Sequence, residues 1–155
     1  MSTMTQRRFI LAAVIALQGA LLTAAAHAAC SLSSAAIAFG NYDPISSTPL
    51  DTAGSTVYRC GTNDHNITIT LSRGGGTSFS TRRMVRGSDQ LFYNLYLDAA
   101  RTVVWGDGSG GTQAYFINNP PNNQNVTVPI FGRAPASQNV AVGAYSDTIT
   151  ITLIY

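Results

Sequence analysis

Side chains that carry out acid–base and nucleophilic chemistry are scarce in this chain. It has two histidines and seven acidic residues, all of them Asp, and it lacks Lys and Glu altogether. Asp107 beside Ser109 invites a catalytic interpretation, and a triad would then need His65 as its base. Four glycines surround this pair within positions 106–111, and such a stretch is also typical of a flexible turn. We therefore predict that the protein is not an enzyme.

The Gly-rich stretches also lack the motifs that bind phosphate or calcium. Neither residues 74–76 nor residues 106–111 lead into the Lys and Ser/Thr that end a phosphate-binding loop. Asp107 lacks the ligand spacing of a calcium-binding EF-hand. The sequence therefore predicts no cofactor and no metal.

The N-terminal residues have the pattern of a signal peptide. Two arginines at positions 7 and 8 precede an apolar run over residues 9–17, and small residues stand at Ala26 and Ala28. A membrane-spanning helix needs about 20 apolar residues, and Gln18 interrupts this run too early. We predict a signal peptide over residues 1–28, a single domain over residues 29–155, and no stable membrane insertion. The protein would then be exported through the inner membrane.

Cys30 and Cys60 both follow the predicted cleavage site. An even pair of cysteines in an exported chain favours one disulfide and an oxidising compartment. The alternatives are a metal site or a reactive thiol. A metal needs three or four ligands, and only His65 could join the two cysteines.

Beyond residue 28 the chain alternates short apolar stretches with patches of turn-forming residues. The absence of Lys and Glu, two strong helix formers, and the abundance of Thr, Ser and Gly argue against a helical bundle. The pattern favours an antiparallel all-β sandwich or barrel. Seven Arg and seven Asp in this part of the chain give a net charge of zero, so the sequence shows no excess of basic residues for binding nucleic acid. We predict strands at residues 36–39, 56–60, 67–71, 91–97, 103–105, 114–117, 126–131 and 148–155.

The last of these segments has the clearest period of two. Four apolar residues fall on one face and threonines fall on the other, which is typical of a half-buried strand. Either this strand is buried within its own sheet, or it borders a vacancy in the fold that a partner fills. The apolar residues are Ile149, Ile151, Leu153 and Tyr155.

Two groups of residues are candidates for contacts with a surface ligand. Arg82, Arg83 and Arg86 could meet an anionic glycan or lipid, and Trp105 could stack on a sugar ring. A solvated loop explains the arginines as well, and core packing explains the aromatic ring as well.

Six motifs, in order along residues 39–155, resemble the spore coat protein U domain family, which includes subunits of archaic chaperone–usher pili. Each is weak alone, and the ordered set carries the resemblance. They are Phe-Gly-Asn-Tyr-Asp-Pro at 39–44, Arg-Met at 83–84, Leu-Phe-Tyr-Asn-Leu-Tyr-Leu-Asp at 91–98, Trp-Gly-Asp-Gly at 105–108, Pro-Ile-Phe-Gly-Arg at 129–133, and Gly-Ala-Tyr-Ser-Asp-Thr at 143–148 with the strand that follows.

The resemblance implies a single immunoglobulin-like antiparallel β-sandwich that lacks one strand. In such pilins a periplasmic chaperone lends the missing strand, and a neighbouring subunit replaces it after passage through an outer-membrane usher. Ile149, Ile151, Leu153 and Tyr155 would then edge the acceptor groove. The implied function is a pilus subunit at the cell surface that acts in attachment and biofilm formation. The alternative is a self-contained secreted coat or carbohydrate-binding module.

One feature departs from the pattern of pilus-rod subunits, which carry an alternating donor segment before their first cysteine. With cleavage after Ala28, only Ala29 would precede Cys30. Such a chain could accept a strand but could not donate one. We therefore expect a tip or minor subunit rather than a repeating rod subunit.

Overall fold

The computed structural model describes residues 30–33 and 35–155, and this part of the chain is almost entirely β. Its only helical segment is a short 3-10 helix at Phe79–Thr81. None of the described helices is long and apolar enough to cross a membrane. The predicted signal peptide lies outside the described residues.

Nine strands are present in the described part of the chain. They are β1 (Ser31–Leu32), β2 (Leu50–Arg59), β3 (Ile67–Leu71), β4 (Arg83–Arg86), β5 (Asp89–Phe92), β6 (Asn94–Tyr96), β7 (Tyr115–Ile117), β8 (Asn125–Ala134) and β9 (Ile151–Ile154).

The strands form two sheets and a hairpin, and every pairing between them is antiparallel. One sheet has the order β1-β2-β8-β6, the other has the order β7-β3-β9, and β4 pairs with β5. The longest ladder joins β2 to β8, from Leu50 opposite Ala134 to Arg59 opposite Asn125. The predicted antiparallel all-β class is therefore confirmed.

Alternate residues of these strands point into a common core. Strand β3 shows the pattern clearly, since Ile67, Ile69 and Leu71 are buried while Thr68 and Thr70 between them are partly exposed. Tyr58 of β2, Val128 of β8 and the ring of Trp105 pack into the same core. Burying a large apolar side chain contributes about 1.5–3 kcal/mol to folding, so this alternation stabilises the sandwich.

A disulfide joins Cys30 to Cys60, as predicted. Cys30 precedes β1 and Cys60 directly follows β2, so the bond lies at the end of the β1–β2 ladder. The described residues contain no free cysteine.

The structure differs from the predicted strands at both ends of the domain. The final ladder begins at Ile151 rather than at residue 148, because β3 runs beside it only from Leu71 back to Thr68. Residues 36–39 belong to no ladder. Side chains of β2 hold this region instead, since the Thr56 hydroxyl donates to the carbonyl oxygen of Ser33 at 2.9 Å and the Thr52 hydroxyl donates to that of Ala38 at 2.7 Å.

Candidate functional site

A cleft of about 330 Å³ opens between residues 35–39 and residues 145–151. Its floor is apolar and comes from both sheets and from β4. The floor residues are Leu71, Met84, Tyr93, Leu95 and Ile130. The cleft therefore exposes part of the core to the outside of the molecule.

The cleft continues into a second cavity of about 750 Å³ between residues 37–42 and residues 140–145. Ile37, Phe39, Met84 and Tyr145 line both cavities. We call the two cavities together the groove, with residues 35–42 as its N-terminal wall and residues 140–151 as its C-terminal wall.

The N-terminal wall lies against β2 and β8 of the large sheet. Ile37 and Phe39 are half-buried, and the intervening Ala38 is exposed. The wall approaches two glycines closely. A Cβ at Gly132 would lie 2.9 Å from Ile37 Cδ1 and 2.9 Å from Phe39, and a Cβ at Gly54 would lie 2.9 Å from the carbonyl oxygen of Ala36.

The C-terminal wall ends in an edge strand, because among the described strands β9 pairs with β3 alone. Ile149, Ile151 and Leu153 are half-buried and pack against the core, whereas the threonines between them are exposed. Within the described ranges, no strand forms a ladder with either wall across the groove, and the C-terminal wall makes a single bridge, from Ser146 to Val85 of β4. Unpaired N–H and C=O groups beside an apolar floor form a template for an added strand.

The structure brings two of the four predicted edge residues to the groove. Ile149 and Ile151 line it directly. Leu153 packs against the core further along β9, and Tyr155 is 60% exposed beyond the end of that strand. The groove therefore lies beside residues 140–151 rather than beside the last residues of the chain.

Two of the predicted surface-ligand contacts are wrong, because Trp105 and Arg82 are both fully buried. The indole N–H of Trp105 donates to the carbonyl oxygen of Ile69 at 2.9 Å. Of the other predicted contacts, Arg83 is half-buried, and Arg86 is exposed and pairs with Asp89 at 3.3 Å.

The guanidinium of Arg82 is satisfied without a carboxylate. It donates to the carbonyl oxygens of Ser72 and Trp105, each at 2.7 Å from Nη2, and to Asn94 Oδ1 at 2.9 Å. The Phe79 ring lies 5.2 Å from the guanidinium carbon. Burial lowers the pKa of Arg82 to about 10, so the group still carries its charge at neutral pH.

The groove also contains a polar pair that the sequence did not predict. The Tyr93 hydroxyl donates to Asp147 Oδ2 at 2.7 Å, and both residues line the groove. The two residues are 54 positions apart, so only the fold brings them together.

The residues considered for catalysis are not assembled into a triad. The Ser109 hydroxyl donates to Asp107 Oδ1 at 2.6 Å within an exposed loop, while His65 Nδ1 lies 3.2 Å from Asn119 Oδ1. Asp64 lies close to both cysteines, but their sulfur atoms are joined to each other. Its carboxylate accepts the backbone N–H of Gly61 at 2.7 Å, which accounts for its position.

The chain is similar in fold to a solved chaperone–usher protein. It superposes on a chain of the CsuC–CsuE chaperone–tip adhesion subunit pre-assembly complex, from the archaic chaperone–usher Csu pili of Acinetobacter baumannii, with a TM-score of 0.56 and 19% identity. The superposition covers 81% of this chain and 39% of the solved one, so this chain spans about two fifths of its length. The likeness confirms the predicted immunoglobulin-like fold.

The sequence comparisons identify the family. The chain is 33% identical over 144 residues to Protein U of Myxococcus xanthus, which covers 82% of this chain and 78% of that protein. Residues 16–152 match the Spore Coat Protein U domain, and the match begins within the predicted signal peptide. The protein is therefore a member of the Spore Coat Protein U domain family.

Proposed function

We propose that this protein is an exported subunit of a chaperone–usher surface pilus that accepts an extended strand from a partner in the groove. The observation that carries the proposal is the open groove itself. It has an apolar floor between two walls, and neither wall forms a ladder with a strand across the groove within the described residues. A segment with apolar side chains at alternate positions would fill the floor and pair with the walls.

The free energy available from filling the groove supports such a partner. Four apolar side chains buried in the groove contribute roughly 6–12 kcal/mol, at about 1.5–3 kcal/mol each. This is comparable to the whole stability of a small domain, which is about 5–15 kcal/mol. The subunit alone is therefore expected to be marginal or prone to association, because its groove exposes apolar surface and unpaired backbone.

Filling of the groove by a partner strand implies three partner proteins. A periplasmic chaperone supplies the first strand, an outer-membrane usher exports the subunit, and a neighbouring subunit supplies the lasting strand. The disulfide is typical of proteins that leave the cytoplasm. The protein then acts at the cell surface in attachment and biofilm formation. Its position as a tip or minor subunit stays a prediction, and N-terminal sequencing of the exported protein tests it.

A strand grafted onto the chain tests the groove. Two forms of the exported protein are compared. One is unmodified, and the other carries a Gly/Ser linker after Tyr155 followed by a strand of alternating Val and Thr. Filling the groove should raise the midpoint of thermal unfolding by about 10–20 °C. A matched graft, with Asp in place of each Val, should leave the midpoint unchanged because the apolar floor cannot bury carboxylates.

A second variant tests whether the rise in the unfolding midpoint comes from binding in the groove. Ile149→Asp should abolish the gain from the Val/Thr graft, since Ile149 lines the groove. An unchanged midpoint with the Val/Thr graft, in a monomer that is already stable, would contradict the proposal. That result would support the alternative, a self-contained secreted coat or carbohydrate-binding module.

A further inference from the structure

Part of the C-terminal wall is held by no backbone ladder. On one side, Ser146 exchanges backbone hydrogen bonds with Val85 at 2.9 and 3.2 Å. On the other, the backbone N–H of Ser72 donates to the carbonyl oxygen of Thr150 at 2.9 Å. Among the residues that the structure describes, positions 147–149 have no backbone-to-backbone hydrogen bond. Side chains must therefore hold this stretch.

The carboxylate of Asp147 connects the stretch to two other parts of the fold. Its Oδ1 accepts the backbone N–H of Gly75 at 2.9 Å and that of Thr148 at 2.8 Å. Its Oδ2 accepts the Tyr93 hydroxyl at 2.7 Å. Hydrogen bonds to a charged acceptor are stronger than neutral ones, so three of them on one carboxylate are a firm attachment.

The loop after β3 is shaped to meet this carboxylate. Gly74 has a φ of +59°, and a Cβ at this position would collide with the Asp147 side chain. The Ser72 hydroxyl oxygen accepts the backbone N–H of Thr150 at 2.9 Å and that of Gly74 at 3.3 Å. The same loop thus fixes the wall both at Asp147 and three residues further on.

Tyr93 extends the connection across the floor of the groove. Its side chain is buried, and its ring packs edge-on against Phe39 of the N-terminal wall with 5.4 Å between ring centroids. Burial and the Asp147 carboxylate raise the pKa of Tyr93, so its hydroxyl keeps its proton and remains a donor. One tyrosine therefore contacts both walls.

We propose that Asp147 is a positioning residue for the groove. Through Tyr93 and Gly75 it holds the C-terminal wall in the conformation that an incoming strand meets, before that strand arrives. This inference rests on the proposed function, because it assigns Asp147 a role in strand binding. A wall that is already ordered avoids an ordering cost during binding, so loss of the carboxylate should slow association.

Hydrogen exchange of the exported protein tests the positioning directly. In Asp147→Ala, the backbone amides of Gly75 and Thr148 should exchange about tenfold faster than in the wild type, because both lose their acceptor. Asp147→Asn should restore much of the protection, since its Oδ1 can still accept both amides. Tyr93→Phe should give a smaller increase, since it removes only the attachment to the floor.

Two matched variants control for the substitution itself. Asp107→Asn changes an exposed carboxylate that bonds only to Ser109 in its own loop. Tyr96→Phe removes a hydroxyl that has no hydrogen-bond partner in the described structure. Neither should alter exchange at Gly75 or Thr148.

The binding measurement uses a synthetic peptide of alternating Val and Thr with Lys at both ends. Association with Asp147→Ala should be about fivefold slower than with the wild type, and association with Asp147→Asn should recover toward the wild-type rate. Unchanged exchange at Gly75 and Thr148 in every variant would overturn the inference. Faster exchange with an unchanged association rate would overturn it too.

The two proposals fail in different ways. If the wild type does not bind the peptide, the proposed function fails, and the positioning role is then judged by exchange alone. If Asp147→Ala does not fold, Asp147→Asn and Tyr93→Phe decide the result, since each keeps most of the packing.

Discussion

The Tyr42 hydroxyl donates to the carbonyl oxygen of Pro135 at 2.7 Å. The Tyr42 hydroxyl oxygen in turn accepts the backbone N–H of Gln138 at 2.8 Å. This one phenol therefore joins the end of the N-terminal wall of the groove to the loop that leaves β8. In the described structure no backbone ladder joins these two segments, so the Tyr42 hydroxyl links them.

Tyr42→Phe should lower the free energy of unfolding by about 1–2 kcal/mol, because two hydrogen bonds are lost and the ring is kept. Urea unfolding of the purified protein measures the change. Tyr155→Phe is the control, since Tyr155 is 60% exposed at the end of the chain. Equal stability of the two variants would show that Tyr42 does not hold the wall.

Arg82→Met should lower the free energy of unfolding by about 3–5 kcal/mol. It leaves the carbonyl oxygens of Ser72 and Trp105 and the Asn94 side chain without their buried donor. Arg82→Lys should recover less than half of the loss, because an ammonium cannot replace the planar fork that reaches all three acceptors. A full recovery with Lys would show that charge alone matters at this position.

Tyr58 should make the protein sensitive to alkali. Burial, and secondarily the neighbouring Tyr115, raises the pKa of Tyr58 from 10.0 to about 12, while its buried hydroxyl has no hydrogen-bond partner in the described structure. A raised pKa means that the folded state binds the proton more tightly. This stabilisation is complete below pH 10 and is lost as the pH rises through about 12.

To isolate the contribution of Tyr58, the free energy of unfolding is measured for the wild type and for Tyr58→Phe between neutral pH and pH 12. Tyr58→Phe should lose less stability over this interval, by at most about 2–3 kcal/mol. Parallel curves for the two proteins would assign the alkaline loss to other titrating groups.

Gly132→Ala should destabilise the protein by about 1–3 kcal/mol, since it overpacks the contact between β8 and the N-terminal wall. The added Cβ would lie 2.8 Å from Thr52 Cγ2 and 2.9 Å from Phe39. Phe39→Leu should offset part of this cost in the double variant, by making room beside the new methyl group. Additive losses in denaturant unfolding would contradict this explanation.

The sequence predicted best where burial follows the period of a strand. β3 has the predicted bounds, because Ile67, Ile69 and Leu71 alternate with threonines along one ladder. The final strand is shorter than predicted, since apolar alternation continues through Ile149 where no neighbouring strand is present in the described structure. Alternation reports which residues face the interior, and it does not report whether a partner strand exists.

The buried polar groups could not be predicted from the sequence. An Arg is rarely fully buried, and the partners of Arg82 come from three separate segments, at Ser72, Asn94 and Trp105. Asp147 and Tyr93 likewise meet only in the folded chain. The sequence left Trp105 open between the core and a ligand surface and named Arg82 as a candidate surface contact, and the tertiary hydrogen bonds explain why both lie inside.

The burial of Trp105 has a practical consequence for spectroscopy. It is the only tryptophan in the sequence, and its indole lies fully inside the core, away from the lining of the groove. Ultraviolet-excited emission of this protein should therefore be blue-shifted when it is folded, and should shift to the red only when water reaches the core. A strand that binds in the groove should leave the emission maximum of Trp105 unchanged. The fluorescence of this one residue therefore distinguishes strand binding from unfolding.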